Sequence, residues 1–196
     1  MEFVNQEEVV DLLDEYGIEE IGKGADCVFL QMGDGEGVVH MHLACPESSC
    51  KPRKGASMMP VAKDKLPQVI ASMINRLHLN QVVLVPIGKW RTVFDAVAFS
   101  MAQNEIKQVR EDWQAFDAAA TVELNTRDPL LCDPGDFHTI MALMRALLSD
   151  ASNPDQGLLL IATASPVLVE LVPDDAVRVS LGSQVLADEL AEAFAG

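Results

Sequence analysis

Between Gly157 and Ser183 the chain reads GLLLIATASPVLVELVPDDAVRVSLGS, a set of apolar stretches interrupted at Ser165-Pro166 and again at Pro173-Asp174-Asp175. Short runs rich in Val, Ile and Leu and bounded by turn residues read as strands, and connections this short imply two or three strands forming a meander. The middle run, Val167 to Val172, is also compatible with a short crossover helix, because an apolar run of that length has no period that separates the two states. A sheet of this kind must be covered, and helices are the elements that cover it.

Helical spacing is plain at several places. Asn5 can cap a helix with Glu8 reaching back, and Val9, Leu12, Leu13 and Tyr16 then share one face up to Gly17. A second helix is predicted from Asp64, with Pro67 in its first turn and Leu66, Ile70, Met73 and Leu77 inward, feeding a strand over Gln81 to Ile87. After Gly88, Thr92 and Asp95 suit a helix start, and Phe94, Ala98, Ala102, Ile106, Val109, Trp113 and Phe116 keep helical spacing to about Asp117. A strand from Ala120 to Asn125 and the turn-rich TRDPLLCDPGD follow. Asp133, Pro134 and Asp136 then open a helix burying Phe137, Ile140, Met141, Met144 and Leu147, and a last helix from Ser183 buries Leu186, Leu190 and Phe194. Nearer the start, CVFLQM and VVHMHLAC read as two strands of a hairpin turned by Gly33 to Gly37, and Pro46 to about Pro60 reads as a long loop.

The expected fold is therefore α+β, a mixed and largely antiparallel sheet covered by helices; a three-layer α/β arrangement with a partly parallel sheet is the alternative. With 196 residues, 49% of them apolar, the chain suits one domain over 1–196 with a sizeable core. A faint echo between residues 37–103 and 119–195, with VVLVPIG facing VRVSLG, suggests a duplicated β-α-β-α half, dividing the chain at about 1–110 and 111–196.

Charge and cysteine usage narrow the class of function. A net charge of -16, from 14 Lys and Arg against 30 Asp and Glu, repels phosphate and argues against nucleic-acid binding. The start MEFVNQEEVV has neither the basic nor the apolar region of a signal peptide, and no run reaches the roughly 18 apolar residues of a membrane span, so a cytoplasmic protein with no membrane partner is expected. In that compartment Cys27, Cys45, Cys50 and Cys132 read as thiols or ligands.

The most specific chemical pattern is His40-Met41-His42-Leu43-Ala44-Cys45 with Cys50 beyond it. Strand alternation sends His40 and His42 to one face and Val39, Met41 and Leu43 to the other, and two imidazoles with one or two thiolates suit zinc or another transition metal. The spacing is not that of a zinc finger, Cys45 falls on the apolar side unless the strand bends at Pro46, and the competing reading is a polar, water-facing strand face. Cys50-Lys51-Pro52-Arg53-Lys54 gathers basic residues around one thiol, which marks Cys50 as the candidate reactive cysteine or the loop as an anion site. Cys132 precedes a helix but lies among Asp128, Asp133 and Asp136, and is expected to be inert. Gly88, Lys89, Arg91 and Thr92 form a weaker anion site at a strand-to-helix turn without the spacing of a P-loop. His78 and His138 read as helix-end residues.

Three functions compete. The first is a non-catalytic, adaptor-like module that binds a protein partner and needs no cofactor, and a homodimer is compatible with it. The second is a metal-dependent or thiol-based enzyme or sensor centred on His40, His42, Cys45 and Cys50. Phosphate or nucleotide recognition at Gly88 to Thr92 is the third.

Overall fold

A computed structural model describes residues 2–4, 6–23, 28–87, 129–149, 157–172 and 176–194 of the chain. In order, its elements are β1 (Glu2–Phe3), α1 (Gln6–Glu15), β2 (Ile18–Lys23), β3 (Val28–Met32), β4 (Val39–Ala44), β5 (Ser57–Pro60), α2 (Leu66–Arg76), β6 (Val82–Ile87) and β7 (Leu130–Cys132). After these come α3 (Phe137–Ser149), β8 (Gly157–Ala162), β9 (Val167–Val172), β10 (Ala176–Leu181) and α4 (Gln184–Phe194). The fold is α+β with a mixed sheet. Eight strands join in the order β1-β7-β6-β8-β9-β10-β4-β5, and β2 pairs with β3 in a small sheet of its own. Only β4 with β5 is a parallel pair among those described; every other pairing is antiparallel.

The meander prediction holds with three strands, and Val167 to Val172 is a strand, β9, not a crossover helix. Every residue of β8 is buried, so the sheet is covered on both faces. One face presents Met41, Leu43, Val82, Leu84, Leu158, Leu160, Val169 and Val179 to α2, α3 and α4. The opposite face presents Val83, Val85, Leu159, Ile161 and Leu168 to Val9 of α1, Ile18 of β2 and Met32 of β3. The Tyr16 hydroxyl, at the end of α1, donates to the Thr163 carbonyl at 3.0 Å and ties that helix to the β8–β9 turn.

Helix boundaries follow their local chemistry. Gly17, with φ of 61°, takes the left-handed conformation that stops α1. Asp133 and Asp136 form a reciprocal capping box around Pro134, a 3-10 turn that runs into α3. The Ser183 hydroxyl accepts from the Leu186 amide at 3.3 Å and caps α4. Pro67 sits in the first turn of α2, where its missing N–H removes no helical hydrogen bond.

Three expectations change, and one strand, β2, adds to them unforeseen. CVFLQM and VVHMHLAC do not form a hairpin: β3 pairs back with β2, while β4 joins the large sheet between β10 and β5. The segment IEEIGK is a strand that alternation alone does not disclose, because a register shift between Glu20 and Gly22 leaves Ile21 without a cross-strand partner. Leu130 to Cys132, inside the turn-rich stretch, is the strand β7. Ser57 to Pro60, at the end of the long loop, adds to the sheet edge as β5. The helix predicted after Gly88, the strand over Ala120 to Asn125 and the Asn5 cap lie outside the described residues.

The turn from β10 into α4 depends on one close approach. A Cβ placed on Gly182 would sit 2.5 Å from Pro166 Cβ and 2.7 Å from its Cγ, and the Gly182 amide donates to the Pro166 carbonyl at 2.7 Å. Substituting Gly182→Ala is expected to destabilise the chain by about 1–3 kcal/mol through this overlap. Urea unfolding of the two chains checks it, and an unchanged midpoint would contradict the packing described.

Candidate functional site

Alternation along β4 puts Met41 and Leu43 on the helix-covered face and His40 and His42 on the opposite one, as expected from the sequence. That second face is not open to water: His42 is wholly buried and His40 is 9% exposed. The expected water-facing strand is corrected on this point, because a second layer covers it. Register then decides the neighbours. Across the sheet His42 stands opposite Arg178 of β10, and Arg178 opposite Glu170 of β9, so an imidazole, a guanidinium and a carboxylate form one cross-strand row.

The loop between β4 and β5 lies over this row. Arg178 Nη1 donates to Glu170 Oε1 at 3.1 Å and to Oε2 at 3.2 Å. Its Nη2 donates to Cys50 Sγ at 3.3 Å and to the Lys51 carbonyl at 3.1 Å. From the loop itself, Arg53 Nη2 donates to Glu170 Oε2 at 3.3 Å. The three charged side chains are 16% (Arg53), 14% (Glu170) and 25% (Arg178) exposed, so their electrostatic interactions are screened far less than at an open surface. Two guanidinium groups around one carboxylate leave a net positive charge, and Cys50 is the polarizable atom placed against it.

Burial, and after it the Arg178 guanidinium, holds the His42 imidazole below its ordinary range against smaller upward pulls from the Cys50 backbone and Glu170. Neither of its ring nitrogens makes a hydrogen bond of good geometry. His40 is tied differently, with Nδ1 at 2.8 Å from Ser180 Oγ and Nε2 at 3.2 Å from Asp34 Oδ1. Asp34, His40 and Ser180 thus follow the acid, imidazole and hydroxyl sequence of a nucleophilic triad. Ser180 is 2% exposed in the middle of a strand, however, so a substrate carbonyl has no approach to its oxygen. This trio anchors the Gly33–Val38 turn to the sheet.

Of the four ligands expected for a metal, the structure brings His42 and Cys50 under one loop, turns Cys45 toward Glu47 with Sγ 4.0 Å from Oε2, and engages both nitrogens of His40 as described. Among the described residues no group of three or more His, Cys, Asp and Glu side chains could hold a metal ion. Cys132 is buried, and its thiol is pushed up to about 12 by desolvation first and then by Asp136 and Asp133. Cys27 and the weaker anion site at Gly88, Lys89, Arg91 and Thr92 lie outside the described residues. His78 closes α2 in a left-handed conformation, with φ of 49°.

Glu170 and Arg178 were not singled out by their sequence context, though a signal exists. Each is the sole charge in an otherwise apolar strand, VLVELV and AVRVSL, and in an antiparallel meander two such charges of opposite sign fall opposite one another. No protein-family model, no curated protein and no solved structure matches this chain. No helix among the described residues is long and apolar enough to cross a membrane.

The burial of His42 sets a pH dependence. Its folded-state value lies below the ordinary 6.5, so the unfolded chain takes up this proton first; stability is full well above 6.5 and is lost as pH falls from there through the lower folded-state value. Unfolding free energy is expected to fall as pH drops from about 7.5 through the ordinary histidine range, and His42→Leu to remove much of that slope. Equal slopes in the two chains would contradict a neutral, buried His42.

Proposed function

We propose that the protein is a thiol-based sensor in which Cys50 is the reactive atom and the loop over β4, β10 and β9 is the element that responds. The observation that carries this reading is the 3.3 Å contact from Arg178 Nη2 to Cys50 Sγ. A guanidinium donating to sulfur favours thiolate over thiol, and the thiolate is the nucleophile. Charge balance supports it: among the shielded side chains Arg53 and Arg178 outnumber Glu170, the other carboxylate acting on Arg53 being the exposed Asp34, and a thiolate offsets that excess. Cys50 is half-buried, so a small electrophile or oxidant can reach it, whereas Cys132 is closed off. Modification of the sulfur would remove its negative charge and break the Arg178 contact, loosening the loop that leads directly into β5.

A second reading, a protein-binding module without catalysis, is favoured by the outer edge of the sheet. Among the described residues β5 pairs with β4 alone, and Met58 on that strand is 60% exposed. The two readings separate on Cys50, since an adaptor of this kind does not need a reactive thiol.

Site-resolved alkylation tests the sensor. At about pH 7 iodoacetamide should modify Cys50 well ahead of Cys45, with Cys132 last, and Arg178→Gln should slow Cys50 by about tenfold and move its half-maximal rate to higher pH. Cys50 reacting no faster than Cys45, with no effect of Arg178→Gln, would leave the adaptor reading in its place.

A further inference from the structure

Four buried nitrogen atoms beneath the same loop lack a well-aligned partner: Arg53 Nη1, Arg178 Nε, and Nδ1 and Nε2 of His42, whose ring has a poorly aligned contact with the Cys50 backbone. An unpaired N–H in such a place costs about 1–3 kcal/mol, and more when the group is charged, so an interior that collects several of them needs something to satisfy them. These atoms are not scattered. Arg53 and Arg178 share the Glu170 carboxylate, and His42 stands opposite Arg178 in the strand register. Even with His42 neutral, one ring N–H joins the two guanidinium N–H groups as a donor, poorly aligned with its nearest acceptor, the Cys50 backbone.

Charge selects the kind of acceptor. With Cys50 as the thiol, Arg53 and Arg178 outnumber Glu170 at side chains no more than a quarter exposed, and the other carboxylate that acts on Arg53, Asp34, is 84% exposed and screened by solvent. Water would satisfy the geometry but leave that charge, whereas an anion satisfies both. Lys51 and Lys54, exposed on the same loop, add a local positive field on a chain whose overall charge is -16. The shielding of the four nitrogens by the loop restricts the occupant to a small ion.

We propose that Arg53, Arg178 and His42 under this loop form a binding site for a small oxyanion, a class that covers inorganic phosphate, sulfate and a compact carboxylate. The guanidinium forks supply hydrogen bonds from Arg53 Nη1 and Arg178 Nε, and His42 supplies a third from the ring nitrogen that carries the proton. The site stands on the arginines and the imidazole, so it does not rest on the reactivity of Cys50. The two are nevertheless coupled, because the anion and the thiolate offset the same excess charge and would disfavour one another.

Isothermal titration of the full chain with sodium phosphate, sodium sulfate and sodium acetate, each at constant ionic strength held with sodium chloride, tests the site. Saturable binding of at least one of the three is expected, weakened by about tenfold or more in Arg53→Gln and retained within about threefold in Cys50→Ser. Arg53→Lys, which keeps the charge and removes the fork, should also weaken binding and serves if Arg53→Gln does not fold. Phosphate and sulfate without acetate would assign a tetrahedral ion, and acetate alone a carboxylate. No saturable binding of any of the three, or equal binding in the Arg53 variants, would overturn the proposal. Loss in Cys50→Ser with none in the Arg53 variants would overturn it as well. Because Cys50→Ser abolishes the sensor chemistry and spares the anion site, failure of one reading is separable from failure of the other.

Discussion

The Glu170 carboxylate accepts from Arg178 on the neighbouring strand and from Arg53 on the loop that crosses above it, so a strand face and a covering segment meet at one pair of oxygens. Much of the molecule is arranged around the need for such a contact. The large sheet is buried on both faces, with three helices closing one face and α1 with the small β2–β3 sheet closing part of the other. That smaller layer packs over β6, β8 and part of β9. Toward β10 and β4 the face turns polar, and the loop from Cys45 to Ala56 covers it through charge-assisted hydrogen bonds instead of apolar packing.

A polar cover of this kind behaves differently from an apolar one. Apolar burial is non-directional and tolerates small displacements, whereas the Arg178 fork holds Cys50 Sγ and the Lys51 carbonyl at fixed positions. A change in charge at the sulfur or at the guanidinium is therefore transmitted to the whole loop. Breaking one member of a shielded ionic group costs more than the group contributes when intact, because the remaining charges keep their desolvation without their counter-charge. The same physics that positions Cys50 makes the loop responsive to what happens there.

The sequence disclosed those features that depend on local pattern. Helix starts at Asp133 and Ser183 follow from side-chain capping, the meander from apolar runs broken at Ser165-Pro166, and the shared face of His40 and His42 from alternation. What alternation cannot say is what lies above a face. The imidazoles read as water-facing because Val39, Met41 and Leu43 supply an apolar side opposite them, yet the loop from Cys45 to Ala56 closes over the row that holds His42. The bulge at Ile21 removed the two-residue period of β2, and the edge strand β5 is too short and too exposed to announce itself. Cys50 was legible from the basic residues beside it in sequence, but its decisive neighbour, Arg178, is 128 residues away. Only strand register could bring them together.

Glu170 is the group that holds the loop to the sheet, and amide hydrogen exchange on the intact chain with and without Glu170→Gln tests that most directly. In the unaltered chain the Cys50 amide donates to Ser48 Oγ at 3.2 Å and the Ala56 amide to the Arg53 carbonyl at 3.1 Å, so both are expected to be protected. In Glu170→Gln their exchange should accelerate by about tenfold or more while the amides of β8 keep their protection, which marks a local opening of the loop. Unchanged exchange at Cys50 and Ala56 would contradict the account, since the loop would then be held by something other than the shared carboxylate.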